Sequence, residues 1–153
     1  MPDDKGSGFQ LPPIGQIGFV VKDVRKTVEH FTKIGLGPFK IFPDLDVQGF
    51  TYNGKPAPHR LRLAFRYGTP QIELIQTLEG ETPNTDFLKK NGEGISHFGY
   101  TVDMDEFDKI LAELAKAGVK PIFQRIEPER SIVYLNADKI GGIMIELTGF
   151  KKA

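Results

Sequence analysis

Short apolar runs, each interrupted by a polar side chain, recur along the chain in two equivalent sets. Gln16-Ile17-Gly18-Phe19-Val20-Val21 and His97-Phe98-Gly99-Tyr100-Thr101-Val102 share the pattern Gln/His-x-Gly-aromatic-x-Val, and Ile72-Glu73-Leu74 is matched by Ile145-Glu146-Leu147. Each pair is ordered the same way in its half of the chain, which marks an internal repeat. Alternation with period two reads these runs as strands. In the first, Ile17, Phe19 and Val21 share one face and Gln16, Gly18 and Val20 the other; in the third, Phe98, Tyr100 and Val102 oppose His97, Gly99 and Thr101.

The segments between them complete two modules of like order. Asp23 can cap a helix in which Val24, Val28 and Phe31 recur at helical spacing, with Ile34 continuing the stripe until Gly35 and Gly37. A strand over 37–42, a long loop or irregular hairpin from Pro43 to Pro58, and strands at Leu61–Tyr67 and Gln71–Gln76 follow. The connector from Glu79 to Gly94 holds a short helical turn around Phe87 and Leu88. The order then restarts: a strand at His97, a helical stripe of Phe107, Ile110, Leu111, Leu114 and Ala115 stopped at Gly118, and strands at Pro121–Phe123, Ser131–Leu135 and Ile143–Leu147. A polar turn ending in Gly141 and Gly142 joins the last two strands. The expected fold class is α+β: two βαβββ modules, 14–78 and 95–149, joined by the connector 79–94 and preceded by a flexible segment 1–13. Together they make one compact domain, a concave mixed sheet with its helices outside.

Composition narrows the function classes. Among 153 residues, 20 basic side chains balance 20 acidic ones, so no field is set up that would draw in nucleic acid or an anionic membrane surface. Cysteine is absent, which removes disulfides, thiolate metal ligands and a cysteine nucleophile. The start is acidic where a secretory leader is basic and then apolar, and no apolar run reaches membrane-spanning length, so a cytoplasmic location is expected.

If the modules set their sheets side by side about a pseudo-twofold axis, the faces away from the helices form a concave wall bearing Gln16, Glu73, His97 and Glu146. One imidazole, one amide oxygen and two carboxylates without sulfur suit one divalent cation; Co, Mn, Ni, Zn, Mg and Fe(II) are all admissible. Taken singly, each residue also fits a plain structural role, His97 as a hydrogen-bonded strand histidine and each Glu as the solvent side of an amphipathic strand. Their placement in register with the repeat favours the metal. Phe42, Phe50, Tyr52 and Phe65, in or beside the long loop and third strand, suit the rim of a pocket for an apolar or aromatic substrate, or simply pad a small core.

With its ligand-bearing strands first and last in each module, the chain resembles the vicinal oxygen chelate (glyoxalase/bleomycin resistance/dioxygenase) superfamily over about residues 14–149. Ile17 to Asp23, Pro83 to Leu88 running into Gly92 to His97, and Gly141 to Leu147 are most similar to the methylmalonyl-CoA epimerase branch. That resemblance puts Gln16, Glu73, His97 and Glu146 on the metal-ligand positions. Gln16 stands where the epimerases usually carry His, and a Gln/Glu/His/Glu set occurs in some glyoxalase I enzymes. A single His among these positions argues against the oxygen-activating dioxygenases. The epimerases' second proton-transferring glutamate is missing; its tract here is Ala57-Pro58-His59-Arg60-Leu61.

The resemblance thus implies a metal-dependent epimerase, racemase or isomerase that removes and returns a proton on the carbon next to a carbonyl. Glu146 is expected to serve as one base and His59, at the mouth of the third strand, as the other; the plainer reading of His59 is an exposed loop histidine. Its partner is a small-molecule carbonyl substrate, either methylmalonyl-CoA or an aromatic ketone, and a homodimer is expected. The alternatives are a glyoxalase I-like lactoylglutathione lyase and a metal-free, resistance-type binding module. His30, off the stripe of the first helix, is expected to be solvated.

Overall fold

A computed structural model describes residues 8–136 and 141–153. In chain order the elements are β1 (Gln16–Val20), α1 (Val24–Lys33), β2 (Lys40–Ile41), β3 (Leu45–Val47), β4 (Thr51–Tyr52), β5 (Lys55–Pro56), β6 (His59–Arg66), β7 (Gln71–Glu79), α2 (Pro83–Asn91), β8 (Gly94–Asp103), α3 (Met104–Lys116), β9 (Pro121–Arg125), β10 (Arg130–Asn136) and β11 (Met144–Phe150). They form the α+β fold expected from the repeat: one mixed sheet and three helices.

The strand order β2-β6-β7-β1-β8-β11-β10-β9 shows the two modules as copies. In each, the first strand pairs in parallel with the last, β1 with β7 and β8 with β11. The two first strands, β1 and β8, then pair antiparallel at the centre of the sheet. Antiparallel contact between equivalent strands is what a twofold relation between modules requires. Everything the repeat duplicates on β1 and β8 is therefore brought to one place.

The helices pack where the stripes direct them. Asp23 accepts a hydrogen bond from the Lys26 amide at 3.1 Å and starts α1, whose Val24, Val28 and Phe31 meet Ala64 and Leu74. The stripe ends there: Gly35 adopts φ +86, the Leu36 amide bonds back to the Phe31 carbonyl, and Ile34 is 59% exposed. His30 is exposed, as expected. In the second module, Phe107, Ile110 and Leu114 of α3 bury against Val133, Leu135 and Leu147, and Phe9 and Leu11 of the leading segment join that cluster.

The stretch 43–58 is more ordered than a loop. Residues of β3 pair with the start of β6, and Asn53 (φ 49) and Gly54 (φ 80) make the tight turn between β4 and β5. That hairpin crosses to the other module and pairs with β9, while Tyr52 donates to Asp86 of α2 at 2.6 Å. The connector likewise holds a full helix. Thr82 and Thr85 cap α2 reciprocally and Pro83 occupies its first turn. The polar turn before Gly141 falls partly on residues 137–140, outside the described ones.

Candidate metal centre and its cavity

Strand register sets the polar residues in two adjacent rows across the middle of the sheet. One row runs Phe65, Glu73, Gly18, His97. The next runs Gln71, Gln16, Gly99, Glu146, Tyr134, Phe123. Each repeat glycine sits opposite the other module's polar residue, and the reason is steric. A methyl group at Gly18 would lie 2.5 Å from His97 Nε2 and closer still to Cε1 and Nδ1, and one at Gly99 would lie 2.9 Å from Gln16 Cβ. The His97 ring therefore lies across Gly18, and the Gln16 side chain across Gly99.

The four residues expected to act together do converge. His97 Nε2 is 2.8 Å from Gln16 Oε1, 3.5 Å from Glu73 Oε1 and 3.4 Å from Glu146 Oε2. Ligand atoms of Glu73, His97 and Glu146 all lie within 4.8 Å of one another. Gln16 Nε2 donates to Gln71 Oε1 at 2.7 Å, which turns the Gln16 carbonyl oxygen toward the centre. Thr148 Oγ1 donates to Glu146 Oε1 at 3.2 Å, and Tyr134 hydrogen-bonds both Glu146 and Asn84.

Burial makes this cluster costly without a cation. His97 is fully buried and Glu73 is 8% exposed, yet among the described residues neither Glu73 nor Glu146 has a lysine or arginine within ion-pair distance. Glu73 Oε1 and His97 Nδ1 have no hydrogen-bond partner. Loss of solvent, and then the charge of Glu146, push the Glu73 carboxyl well above its ordinary range. Burial also holds the His97 imidazole below its usual pKa, opposed by Glu146. An orphaned carboxylate oxygen, a neutral imidazole and two further oxygens facing one point fit a divalent cation of the hard-to-borderline kind.

His59 lies in the wall of the same cavity. It is 8% exposed, with its ring 5.6 Å from that of Phe50 and 5.5 Å from that of Phe123. Its Nδ1 is 2.8 Å from the Ala57 carbonyl; a carbonyl only accepts, so Nδ1 carries the proton and Nε2 keeps a free lone pair. Burial, aided by the charge of Arg125, lowers its pKa against the opposing Ala57 bond. Gly80, at φ +90, lets the chain pass close behind it: a methyl there would lie 2.5 Å from the Pro58 carbonyl oxygen and 2.8 Å from His59 Cβ.

The cavity measures about 540 Å³ and takes in Gln16, Glu73, Glu146 and His59. Of the aromatic residues expected at its rim, Phe50 and Phe65 line it; Phe42 packs edge-on against Phe65, and Tyr52 lines a second cavity of about 310 Å³ beside α2. Tyr134, Thr148, Gln71 and Asn84 also face the cavity, although sequence reasoning did not select them. Gln71 and Thr148 lie two residues from Glu73 and Glu146 on the same strand faces, so period two contained that signal; Tyr134 is brought there by its pairing with Glu146.

This fold and site define a class, and comparison with known proteins agrees. The chain belongs to the Glyoxalase/Bleomycin resistance protein/Dioxygenase superfamily, whose family model matches residues 15–134. Several solved structures share the fold. A hypothetical protein from Bacillus halodurans superposes with a TM-score of 0.58 at 24% identity, over 92% of this chain and 95% of that one. Methylmalonyl-CoA epimerase from Streptomyces coelicolor, in complex with 2-nitronate-propionyl-CoA, superposes at 0.61 with 23% identity, over 92% and 96%. The epimerase from Mycobacterium tuberculosis gives 0.58 at 20%, over 94% of each chain. No curated protein matches the chain in sequence.

Proposed function

We propose that the protein is a metal-dependent epimerase, racemase or isomerase that moves a proton on the carbon next to a carbonyl. The observation that carries this reading is the meeting of the fully buried His97 with Gln16, Glu73 and Glu146, which line a cavity whose wall also holds the buried imidazole of His59. A divalent cation held there by Gln16 Oε1, His97 Nε2 and the two carboxylates supplies Lewis acidity to a carbonyl oxygen of the substrate. Substrates of this class include methylmalonyl-CoA and aromatic ketones.

The chain's own groups divide the proton work. Glu146, which lines the cavity, takes the proton on one face, while Thr148 and Tyr134 fix its carboxylate. His59, neutral and with its Nε2 lone pair free, takes or returns the proton on the other. The apolar walls from Leu61, Leu63 and Ile132 exclude water from the reacting carbon.

Exchange of the substrate's α-hydrogen with solvent deuterium, followed by NMR on protein loaded in turn with Co, Mn, Ni and Zn, tests the reading. Exchange with methylmalonyl-CoA or an aromatic ketone, lost on chelation, is the expected result. No exchange with any metal or substrate of this class overturns it. The same reading places the protein in the cytoplasm as a homodimer, which light scattering checks; no helix among the described residues is long and apolar enough to cross a membrane.

A further inference from the structure

Two arginines enter the cavity wall from the second module. Arg125 ends β9 and Arg130 opens β10, and both line the cavity. Arg125 pairs in register with Ile132, two residues beyond Arg130 on the same face, so the two arginines are diagonal neighbours, about 7–8 Å apart at the backbone. Like charges so placed repel, and the wall does little to relieve them. Arg130 has no acidic partner among the described residues and lies over the Phe150 ring at 5.2 Å. Arg125 lies over the Phe50 ring at 4.9 Å with its Nε buried and without a hydrogen bond, while its Nη1 donates to the Gln48 carbonyl at 3.4 Å; its acidic neighbour among the described residues, Glu127, is 3.6 Å away and 55% exposed.

Charge bookkeeping of the cavity points the same way. Of the acidic groups in the wall, Glu73 and Glu146 are offset by the divalent cation of the proposed function, and Asp46 is 3.7 Å from Arg60. Arg125 and Arg130 then leave the loaded cavity net positive.

We propose that the cavity selects carbonyl compounds bearing a carboxylate or phosphoryl group, held in the forks of Arg125 and Arg130 while the carbonyl faces the metal centre. Aromatic stacking on Phe50 and Phe150 holds both guanidinium planes ready for such a group. The assignment deepens the proposed function, because it takes that site as the place where the carbonyl binds. It narrows the substrate class: a neutral ketone leaves the exposed Arg130 without a counter-charge in the wall, whereas an anionic one gives Arg130 and the half-buried Arg125 a shared partner.

Calorimetric titration of nickel-loaded protein with benzoylpropionate, its methyl ester and phenacylphosphonate tests this. The acid binds at least about tenfold tighter than the ester, and raising the salt concentration narrows the gap. Arg130→Gln removes that preference without weakening the ester, Arg130→Lys restores part of it, and circular dichroism and metal content stay unchanged. A phosphonate that outbinds the acid assigns the fork to phosphoryl groups, and the reverse order to carboxylates. Equal affinity for acid and ester, or a preference that survives both Arg130→Gln and Arg125→Gln, overturns the proposal. Deuterium exchange measured on the same samples separates the two readings: an anion preference without exchange removes the isomerase, and exchange without the preference removes only the arginine fork.

Discussion

The imidazole of His97 lies over Gly18, the residue paired with it across the central strands, and occupies the space that any side chain at position 18 would need. Gly99 gives the same room to Gln16. The repeated Gln/His-x-Gly pattern is thus a pair of reciprocal sockets: each module supplies a ligand and the gap that receives the other module's ligand. Twofold pairing of β1 with β8 makes the exchange possible.

Gly18→Ala therefore expels the His97 ring. Elemental analysis after incubation with Co, Mn, Ni or Zn gives less than about a tenth of the wild-type metal, and overpacking costs about 1–3 kcal/mol of stability. Gly99→Ala is milder, because the end of the Gln16 side chain can move, and it retains part of the metal. Full occupancy with an unchanged melting temperature in Gly18→Ala contradicts the socket.

The chelated protein carries a pH-dependent penalty at Glu73. Its folded pKa is raised, so the proton it binds stabilises the fold fully below the ordinary value of 4.5, and that contribution is lost as pH rises through the folded pKa. Glu73→Gln mimics the protonated group. In chelator, thermal denaturation shows the variant more stable than wild type at pH 8, with the gap closing toward pH 4. Added metal reverses the order, since only the wild type binds it tightly. Identical melting curves for the two proteins across this range in chelator contradict the account.

His59→Gln leaves the metal in place and slows solvent exchange of the substrate by about 10²–10⁴-fold, the usual worth of a positioned base. Because burial lowers the His59 pKa, the imidazole stays neutral below the ordinary 6.5, and the acid limb of the rate profile lies below that value. Gly80→Ala pushes on His59 from behind and slows exchange without touching the metal. Unchanged rates in His59→Gln remove this residue from the chemistry.

The repeat made most of the site legible because period two and register are backbone properties: once β1 and β8 pair, Gln16, His97 and their glycines have nowhere else to meet. What escaped notice had other causes. The β4–β5 hairpin was signalled by Asn53-Gly54, but its flanking strands are two residues each and pair with a strand about 70 residues on, which local alternation does not reveal. The helix α2 was announced by Thr82-Pro83-x-Thr85, but its apolar face is too weak for a stripe. His59 reads as a loop histidine in sequence, because its burial comes from Phe50 and Phe123, residues of two other segments.

The hairpin's contact with α2 gives a last test. Tyr52 donates to Asp86 Oδ2 at 2.6 Å, tying the segment that carries Phe50 into the cavity wall to the helix that follows the first module. Tyr52→Phe loses a hydrogen bond to a carboxylate, which costs about 1.5–3 kcal/mol, at the low end for a partly exposed site. For a chain of this size each kcal/mol lowers the melting temperature by about 2–4 °C. Asp86→Asn added to Tyr52→Phe costs little more, because both changes remove the same bond. The pH dependence is specific as well. Burial, and then the bond to Asp86, raise the Tyr52 pKa from 10.0 to about 12, so the bond's contribution is present below pH 10 and lost as pH rises to about 12. Wild type and Tyr52→Phe therefore converge in stability over that window, and a gap that stays constant to pH 12 shows that the phenol proton is not what holds the hairpin down.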